Sequence, residues 1–274
     1  MQEPLPHRFR RRFGRTRPRR RRGSRPFKRG IFLLPNLLTT GSLFAGFYAI
    51  VAAVQDDFWW ASLAILIAIV LDGLDGTVAR LTKSSSSFGL QYDSLCDLTA
   101  FGVAPAVLIY SWALAPFGRI GWLAAFIFAA CGALRLARFN VLAMGGEGTT
   151  DFRGLPTPAA AGVLASLVFL AEDFGIQALF PHALIAAIAY LLAFLMVSTI
   201  RYQSFKNLSG PLKRPFRVLV GAVLALFVAA AAPQVVACLA TVGYAASGPI
   251  SLLFRWRRAK ERTASQEEAS SQSL

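Results

Sequence analysis

Four aspartates are the residues of this sequence whose types and spacing best suit chemistry. Asp72 and Asp75 are three residues apart, and Asp93 and Asp97 are four apart. On a helix, side chains at these spacings project from one face. The polar run KSSSS at residues 83–87 lies between the pairs and predicts a short turn between two antiparallel helices. The two pairs of carboxylates can therefore converge.

Long apolar runs surround these carboxylates, so their charge needs an explanation. A carboxylate at mid-membrane depth costs about 2.5–3.5 kcal/mol, and four in one neighbourhood must be paired, protonated or bound to cations. Oxygen donors without a His or Cys ligand pattern favour a hard divalent cation, Mg²⁺ or Mn²⁺, over zinc. An ion-pair network with Arg80 is the structural alternative.

Small residues continue the face that carries Asp72 and Asp75. Gly76 and Ala79 follow one turn later and let a ligand or a second helix approach the backbone closely. Arg80 ends the same face with a guanidinium suited to a phosphate. An arginine at this end of a helix also commonly extends to the membrane surface, which leaves a second interpretation open.

The spacing Asp72-x2-Asp75-Gly76-x2-Ala79-Arg80-x8-Gly89-x3-Asp93-x3-Asp97 resembles the signature of the CDP-alcohol phosphatidyltransferases at every position. The resemblance implies two divalent cations, with Asp72, Asp75 and Asp93 as ligands. It implies that Asp97 is both a ligand and the base that deprotonates the attacking alcohol. The residues it assigns to the CDP-lipid are Asn36, Thr39, Asp75, Gly76, Ala79, Arg80 and Gly89. From the residues alone, a helix cap or an interhelical hydrogen bond explains Asn36 and Thr39 equally well.

Further stretches resemble bacterial phosphatidylserine synthases: PNLLTTGSLFAGF from Pro35, ALRLARFN from Ala133, GLPTPAAAG from Gly154 and, more weakly, SxxRYQSFK from Ser198. This resemblance implies CDP-diacylglycerol and L-serine as substrates and a homodimer. It places the serine site at Arg135, Arg138, Asn140, Thr157 and Pro158. The two arginines, three apart on one face, suit a carboxylate or a lipid phosphate, or they cap the helix.

Two other functions remain open at this point. A sibling transferase acting on glycerol phosphate, inositol phosphate or choline would share the core signature. A cation- or proton-coupled transporter would also carry acidic residues in its membrane helices. A transporter is expected to place them near the midplane and often to show repeated halves, whereas this sequence shows no visible repeat.

The elements that position these residues are membrane helices. The chain has 274 residues, 55% of them hydrophobic, and a mean hydropathy of +0.51, which excludes an ordinary soluble protein. We expect an all-α, polytopic bundle of about eight helices. The eight apolar segments are residues 33–54, 58–81, 89–112, 120–142, 157–171, 181–199, 216–231 and 233–254.

The distribution of charge predicts how the bundle is oriented. With the N-terminus and every second loop in the cytoplasm, 28 of the 29 Lys and Arg residues fall on that side and only Arg119 falls outside. Both termini then lie in the cytoplasm, and the four aspartates lie just below the cytoplasmic surface. The expected location is the bacterial inner membrane, with the active site open to the cytoplasm.

The regions outside the core have distinct compositions. Residues 1–30 hold 13 of the 29 basic residues and predict a disordered arm that binds anionic lipid or merely fixes topology. No aromatic platform accompanies this charge, so we expect no nucleic-acid binding. We assign residues 31–206 to the six-helix catalytic core and 207–257 to two additional helices. Residues 258–274 are expected to be a disordered tail.

Overall fold

A computed structural model of the chain describes residues 33–82, 87–144, 154–200, 202, 227 and 230–271. Side chains at 33–35, 80, 82, 87, 143–144 and 253–271 are not described within these ranges. The described chain is helical without strands, which confirms the all-α prediction. Its helices are α1 Leu33–Val54, α2 Phe58–Thr82, α3 Ser87–Asp97, α4 Ala104–Ile109, α5 Arg119–Met144, α6 Thr157–Phe174, α7 His182–Val197 and α8 Pro233–Ser271.

Six stretches of the described chain are long and apolar enough to cross a membrane, so this is a multi-pass membrane protein. They are 36–54, 58–79, 88–117, 119–142, 157–174 and 233–252. Helix α7 is apolar but spans only 16 residues. The predicted segment 216–231 and the arm at 1–30 fall almost wholly outside the described residues. So do residues 83–86 of the predicted turn at 83–87, whereas Ser87 begins α3.

Two departures from the sequence-based segments concern the third and last helices. The third stretch continues to Phe117 through two π-helical turns, Leu98–Val103 and Tyr110–Leu114. The last helix continues to Ser271, so residues 258–271 are helical rather than the disordered tail we predicted. Ala, Arg, Lys, Glu and Gln dominate that segment, and all are strong helix formers.

The helices pack through small residues, which allow their backbones to approach closely. A Cβ atom on Gly46 of α1 would lie 2.6 Å from Cα of Ala100, so a larger residue would push α1 away from the π-helical turn. One apolar core joins α1, α2, α4 and α6, and a second joins α4–α7 and reaches α8 at Ala245. Helices α2 and α3, which carry the aspartates, are thereby held beside α1 and α5.

Candidate active site

Three of the four aspartates meet between α2 and α3. Asp72, Asp75 and Asp93 each offer a carboxylate oxygen, and these oxygens all lie within 4.8 Å of one another. Asp75 is buried, and the other two are half-buried. The convergence predicted from the spacing is therefore found for these three residues.

Asp97 lies beside this cluster at the last position of α3. Its carboxyl group is within hydrogen-bonding reach of that of Asp72 and interacts electrostatically with Asp93. The backbone changes to π-helical geometry at Leu98, directly after Asp97. Single π-helical turns inside α-helices are frequent at functional sites. Asp97 thus joins the group without belonging to the tight triplet.

The triplet has the donor chemistry of a divalent-cation site. Three carboxylates at this separation can ligate one hard cation, which prefers oxygen donors. Gly76 adjoins them, and apart from its chain neighbours and the backbone of its own helix, no heavy atom of the described residues lies within 4 Å of the point where its side chain would begin. The site therefore has space for a ligand next to Asp75, and the residues present fit a metal-dependent reaction.

Helix α1 holds the cluster from one side. Thr39 is buried, and its hydroxyl donates a 2.6 Å hydrogen bond to Oδ2 of Asp75. On the next position of the helix, the Thr40 hydroxyl lies 2.9 Å from the Tyr92 hydroxyl of α3. These bonds join α1 to both helices that supply carboxylates. For Thr39, the interhelical hydrogen bond left open by the sequence is present.

Helix α5 holds α3 through a polar cluster that the sequence analysis missed. The side-chain amide of Asn140 donates to Ser94 Oγ at 2.9 Å and to Gln91 Oε1 at 3.3 Å. Ser94 directly follows Asp93, so this cluster fixes the turn of α3 that carries Asp93. Asn140 was predicted to bind serine, but its amide is engaged here with α3. Ser94 and Gln91 carry no signal in a single sequence except their polarity within an apolar stretch.

Arg135 projects toward the acidic site from α5. It is half-buried, and its Nη1 donates a 2.9 Å hydrogen bond to the buried hydroxyl of Thr157. Its guanidinium interacts electrostatically with Asp97. Its Nε is buried and has no hydrogen-bond partner among the described residues. A buried donor without a partner is costly, which makes this nitrogen available for an anionic ligand.

The structure separates the two arginines that share a face in the sequence. Arg138, one turn after Arg135, is exposed. Pro158 is half-buried beside Thr157. The other predicted contacts to the CDP-lipid, Asn36, Ala79 and Gly89, are half-buried on α1, α2 and α3, whereas the side chain of Arg80 falls outside the described part of the chain.

A tight backbone turn sets the position of Thr157. Gly154 has φ +83°, and a Cβ there would lie 2.3 Å from the Met196 carbonyl oxygen, so this position requires glycine. Its N–H donates to the Ile200 carbonyl at 2.8 Å, and the Leu155 N–H donates to the Leu195 carbonyl at 2.9 Å. The start of α6 is thereby fixed to the end of α7, which gives a physical reason for the GLPTP stretch.

Comparison with known proteins identifies a family whose sequence pattern includes these site residues. The sequence model described as CDP-alcohol phosphatidyltransferase matches residues 32–200. This range includes the aspartates, Arg135 and Thr157, and it ends before α8.

Several characterised proteins are similar to the chain over much of the same range. The CDP-diacylglycerol--serine O-phosphatidyltransferase of Helicobacter pylori is 40% identical over 193 residues, which are 69% of this chain and 80% of that protein. The archaetidylserine synthase of Methanothermobacter thermautotrophicus is 38% identical over 171 residues, or 62% and 69% of the two chains. The CDP-diacylglycerol--serine O-phosphatidyltransferase of Mycobacterium tuberculosis is 38% identical over 164 residues, or 58% and 54%.

Proposed function

We propose, since this chain belongs to the CDP-alcohol phosphatidyltransferase family, that it transfers the phosphatidyl group of CDP-diacylglycerol to L-serine and releases CMP. The names of the relatives in Helicobacter, Mycobacterium and Methanothermobacter all contain serine, although their lipid parts differ. Serine is therefore the acceptor best supported among those used by sibling transferases.

The observation that carries this proposal is that Asp97 interacts with two kinds of group. It interacts electrostatically with the three clustered carboxylates and with the guanidinium of Arg135. A phosphoryl transfer to a zwitterionic alcohol needs a charged site for the pyrophosphate, a base for the hydroxyl and a cation for the carboxylate. The clustered carboxylates, with bound cations, would serve the pyrophosphate. Asp97 would serve as the base, and Arg135 would serve the carboxylate.

In the proposed reaction, the serine hydroxyl oxygen attacks the phosphorus that bears diacylglycerol. The bond from this phosphorus to the oxygen shared with CMP breaks, and CMP leaves with that oxygen. Asp97 accepts the hydroxyl proton as the bond forms. Asp72, Asp75 and Asp93 would hold divalent cations, two of Mg²⁺ or Mn²⁺, with Asp97 as a further ligand. When bound there, the cations neutralise the pyrophosphate and stabilise the leaving group.

Arg135 is the residue we assign to the serine carboxylate. A guanidinium binds a carboxylate through two parallel hydrogen bonds, and Thr157 already engages one of its nitrogens. With the carboxylate held there, the serine hydroxyl can be directed toward Asp97. We keep Pro158 as a wall of this site and assign Asn140 to the support of α3, while Arg138 remains a candidate for a lipid phosphate.

The lipid nucleotide would enter from the side of α1 and α2. Asn36, Thr39, Gly76, Ala79, Arg80 and Gly89 remain its proposed contacts. The space beside Gly76 supports this assignment because no described side chain fills it. We further propose an inner-membrane location with the site open to the cytoplasm, a homodimer, and anionic lipid as the partner of the basic arm.

One experiment tests the proposed activity directly. Purified protein is incubated with CDP-diacylglycerol, Mn²⁺ or Mg²⁺ and, separately, serine, glycerol 3-phosphate, inositol phosphate or choline. We expect phosphatidylserine and an equal amount of CMP with serine alone, and neither with Asp93→Asn protein. A product with another alcohol would identify a sibling transferase. Absence of CMP release with every acceptor would favour the transporter hypothesis.

A further inference from the structure

Helix α8 lies outside the family match but packs directly on a helix of the core. The hydroxyls of Thr241 in α8 and Ser166 in α6 are 2.9 Å apart and form a hydrogen bond. A Cβ atom on Gly162 would lie 2.8 Å from the Thr241 side chain, so the two helices are in close contact. Helix α8 therefore has a fixed place against the core.

One turn after Thr241, α8 has a notch formed by Ala245, Gly248 and Pro249. Pro249 lies inside the helix and has no N–H, so the Ala245 carbonyl, four residues earlier, cannot accept its regular backbone hydrogen bond. Gly248 is buried on the same face as Ala245 and has no side chain to cover this carbonyl. The notch therefore offers a hydrogen-bond acceptor and the room for a ring beside it.

The side chain of Tyr202 fills this notch. Its hydroxyl donates a 3.2 Å hydrogen bond to the Ala245 carbonyl. A Cβ atom on Gly248 would lie 2.7 Å from that hydroxyl oxygen and closer still to the ring, so a larger residue there would displace Tyr202. The rings of Tyr202 and Tyr244 also pack together, with 5.9 Å between their centroids. Tyr202 is thus buried against α8 by packing and by a hydrogen bond.

The residues just before Tyr202 hold the turn that leads into α6. The Gly154 N–H donates a 2.8 Å hydrogen bond to the carbonyl of Ile200, two residues before Tyr202. Thr157, three residues after Gly154, begins α6 and accepts the 2.9 Å hydrogen bond from Nη1 of Arg135. A series of hydrogen bonds and short backbone stretches therefore links α8 to this guanidinium.

We propose that Tyr202 is a positioning residue for acceptor binding: docked in α8, it holds the turn before Thr157 and thereby the guanidinium of Arg135. The inference rests on the proposed function of Arg135 in serine binding. A guanidinium binds a carboxylate through two parallel bonds only when its plane is correctly oriented, so a small shift of Thr157 should weaken serine binding. The lipid nucleotide is assigned to α1, α2 and α3, and its binding should change little.

The test compares two conservative changes that loosen α8 at different points. Tyr202→Phe removes only the hydroxyl and keeps the ring beside Gly248. Thr241→Val removes the hydrogen bond to Ser166 and leaves the hydrogen bond of Tyr202 in place, so it measures the effect of loosening α8 alone. For both variants, the KM values for serine and CDP-diacylglycerol, kcat and the melting temperature are measured in the full-length protein.

We expect Tyr202→Phe to raise the KM for serine about 3- to 10-fold while the KM for CDP-diacylglycerol stays within about twofold of the wild-type value. Thr241→Val should lower the melting temperature without changing the KM for serine. In an Arg135→Lys background, Tyr202→Phe should raise the KM for serine by less than about twofold, because a residue that acts through Arg135 loses its effect with it.

Pro249→Ala tests the carbonyl that Tyr202 binds. The substitution supplies a backbone N–H that can donate to the Ala245 carbonyl within α8. The buried carbonyl then keeps a partner when the phenol hydroxyl is removed, so Tyr202→Phe should lower the melting temperature less in this background than in wild-type protein. An equal loss in both backgrounds would show that the hydroxyl does not satisfy this carbonyl, and the docking on which the inference depends would be wrong.

Several kinetic outcomes would also overturn the inference. These are an unchanged KM for serine in Tyr202→Phe, an equal rise in Thr241→Val, or full additivity with Arg135→Lys. Wild-type protein that forms no phosphatidylserine would instead refute the proposed function on which the inference rests. Because wild-type transfer to serine is measured first, the two failures are distinguishable.

Discussion

The hydroxyl of Thr39 donates a 2.6 Å hydrogen bond to Oδ2 of Asp75, across the interface between α1 and α2. Both residues are buried, and Asp75 is one of the three clustered carboxylates. Hydrogen bonds to a ligating carboxylate fix its orientation, and their loss commonly costs 10- to 100-fold in metal affinity. Thr39 is therefore expected to support the proposed metal site from outside it.

The first prediction is that Thr39→Val weakens activation by the metal. Valine has nearly the same shape but cannot orient Asp75, so the Mn²⁺ concentration for half-maximal activity should rise about 10-fold or more. Mn²⁺ titrations of CMP release measure this change. Thr39→Ser should restore most of the affinity because it keeps the hydroxyl.

A matched control for this prediction lies one turn along α1. Ser42 is buried and donates a 3.2 Å hydrogen bond to the Ala68 carbonyl of α2 rather than to a carboxylate. Ser42→Ala should therefore weaken the same helix interface and leave the metal dependence unchanged. Equal metal effects in the two variants would mean that only helix packing had been measured.

The second prediction concerns metal removal. EDTA should abolish CMP release, and Mn²⁺ or Mg²⁺ should restore it, because the cluster holds only carboxylate donors. Calcium and zinc chloride serve as comparison metals in the same assay. Activity that persists in the chelator would exclude the metal-assisted mechanism.

The third prediction separates the base from the ligands. Asp97→Asn keeps the size of the side chain but removes the oxygen that accepts a proton, so kcat should fall about 10²- to 10⁴-fold. Binding of CDP-diacylglycerol, measured by equilibrium dialysis with Mn²⁺, should change little. The same substitution at Asp93 should impair metal and lipid-nucleotide binding as well. If the two variants behave alike, Asp97 is a ligand and not the base.

Much of the site could be predicted because its signals are local in sequence. The i,i+3 and i,i+4 spacings place the aspartates on helix faces, and apolar runs of membrane length give the helices that carry them. The helices that pack against these faces remained unknown. The same spacing grouped Arg135 and Arg138 on one face, and the structure adds that Arg135 is half-buried whereas Arg138 is exposed.

The remaining features depend on contacts that no single sequence reveals. The hydrogen bond between Asn140 and Ser94 joins residues that are 46 positions apart in the sequence. The hydrogen bond between Thr39 and Asp75 joins residues that are 36 positions apart. The π-helical turn after Asp97 contains Gly102 and directly precedes the α4 segment with Pro105, which has no N–H to continue a regular ladder.

The fourth prediction concerns topology and uses a variant in which the three native cysteines are replaced by alanine. Gln55→Cys, in the exposed turn between α1 and α2, should be labelled by an impermeant maleimide in intact cells. Ser85→Cys, in the predicted cytoplasmic turn, should be labelled only after the membrane is opened. The reverse pattern would invert the orientation and move the acidic site to the other face of the membrane.

The last prediction assigns serine selection to Arg135 rather than to its neighbour. Lysine keeps the charge but lacks the planar fork that binds a carboxylate through two bonds. Arg135→Lys should therefore lower kcat/KM for serine roughly 10- to 150-fold, which corresponds to about 1.5–3 kcal/mol for a lost charge-assisted hydrogen bond. The KM for CDP-diacylglycerol should remain close to the wild-type value. Arg138→Lys should affect serine less, because that side chain is exposed, whereas Arg135 donates to Thr157 and interacts electrostatically with Asp97. A larger serine defect at Arg138 would restore the interpretation based on spacing, and a defect in lipid-nucleotide binding alone at Arg135 would move this guanidinium to the phosphate site.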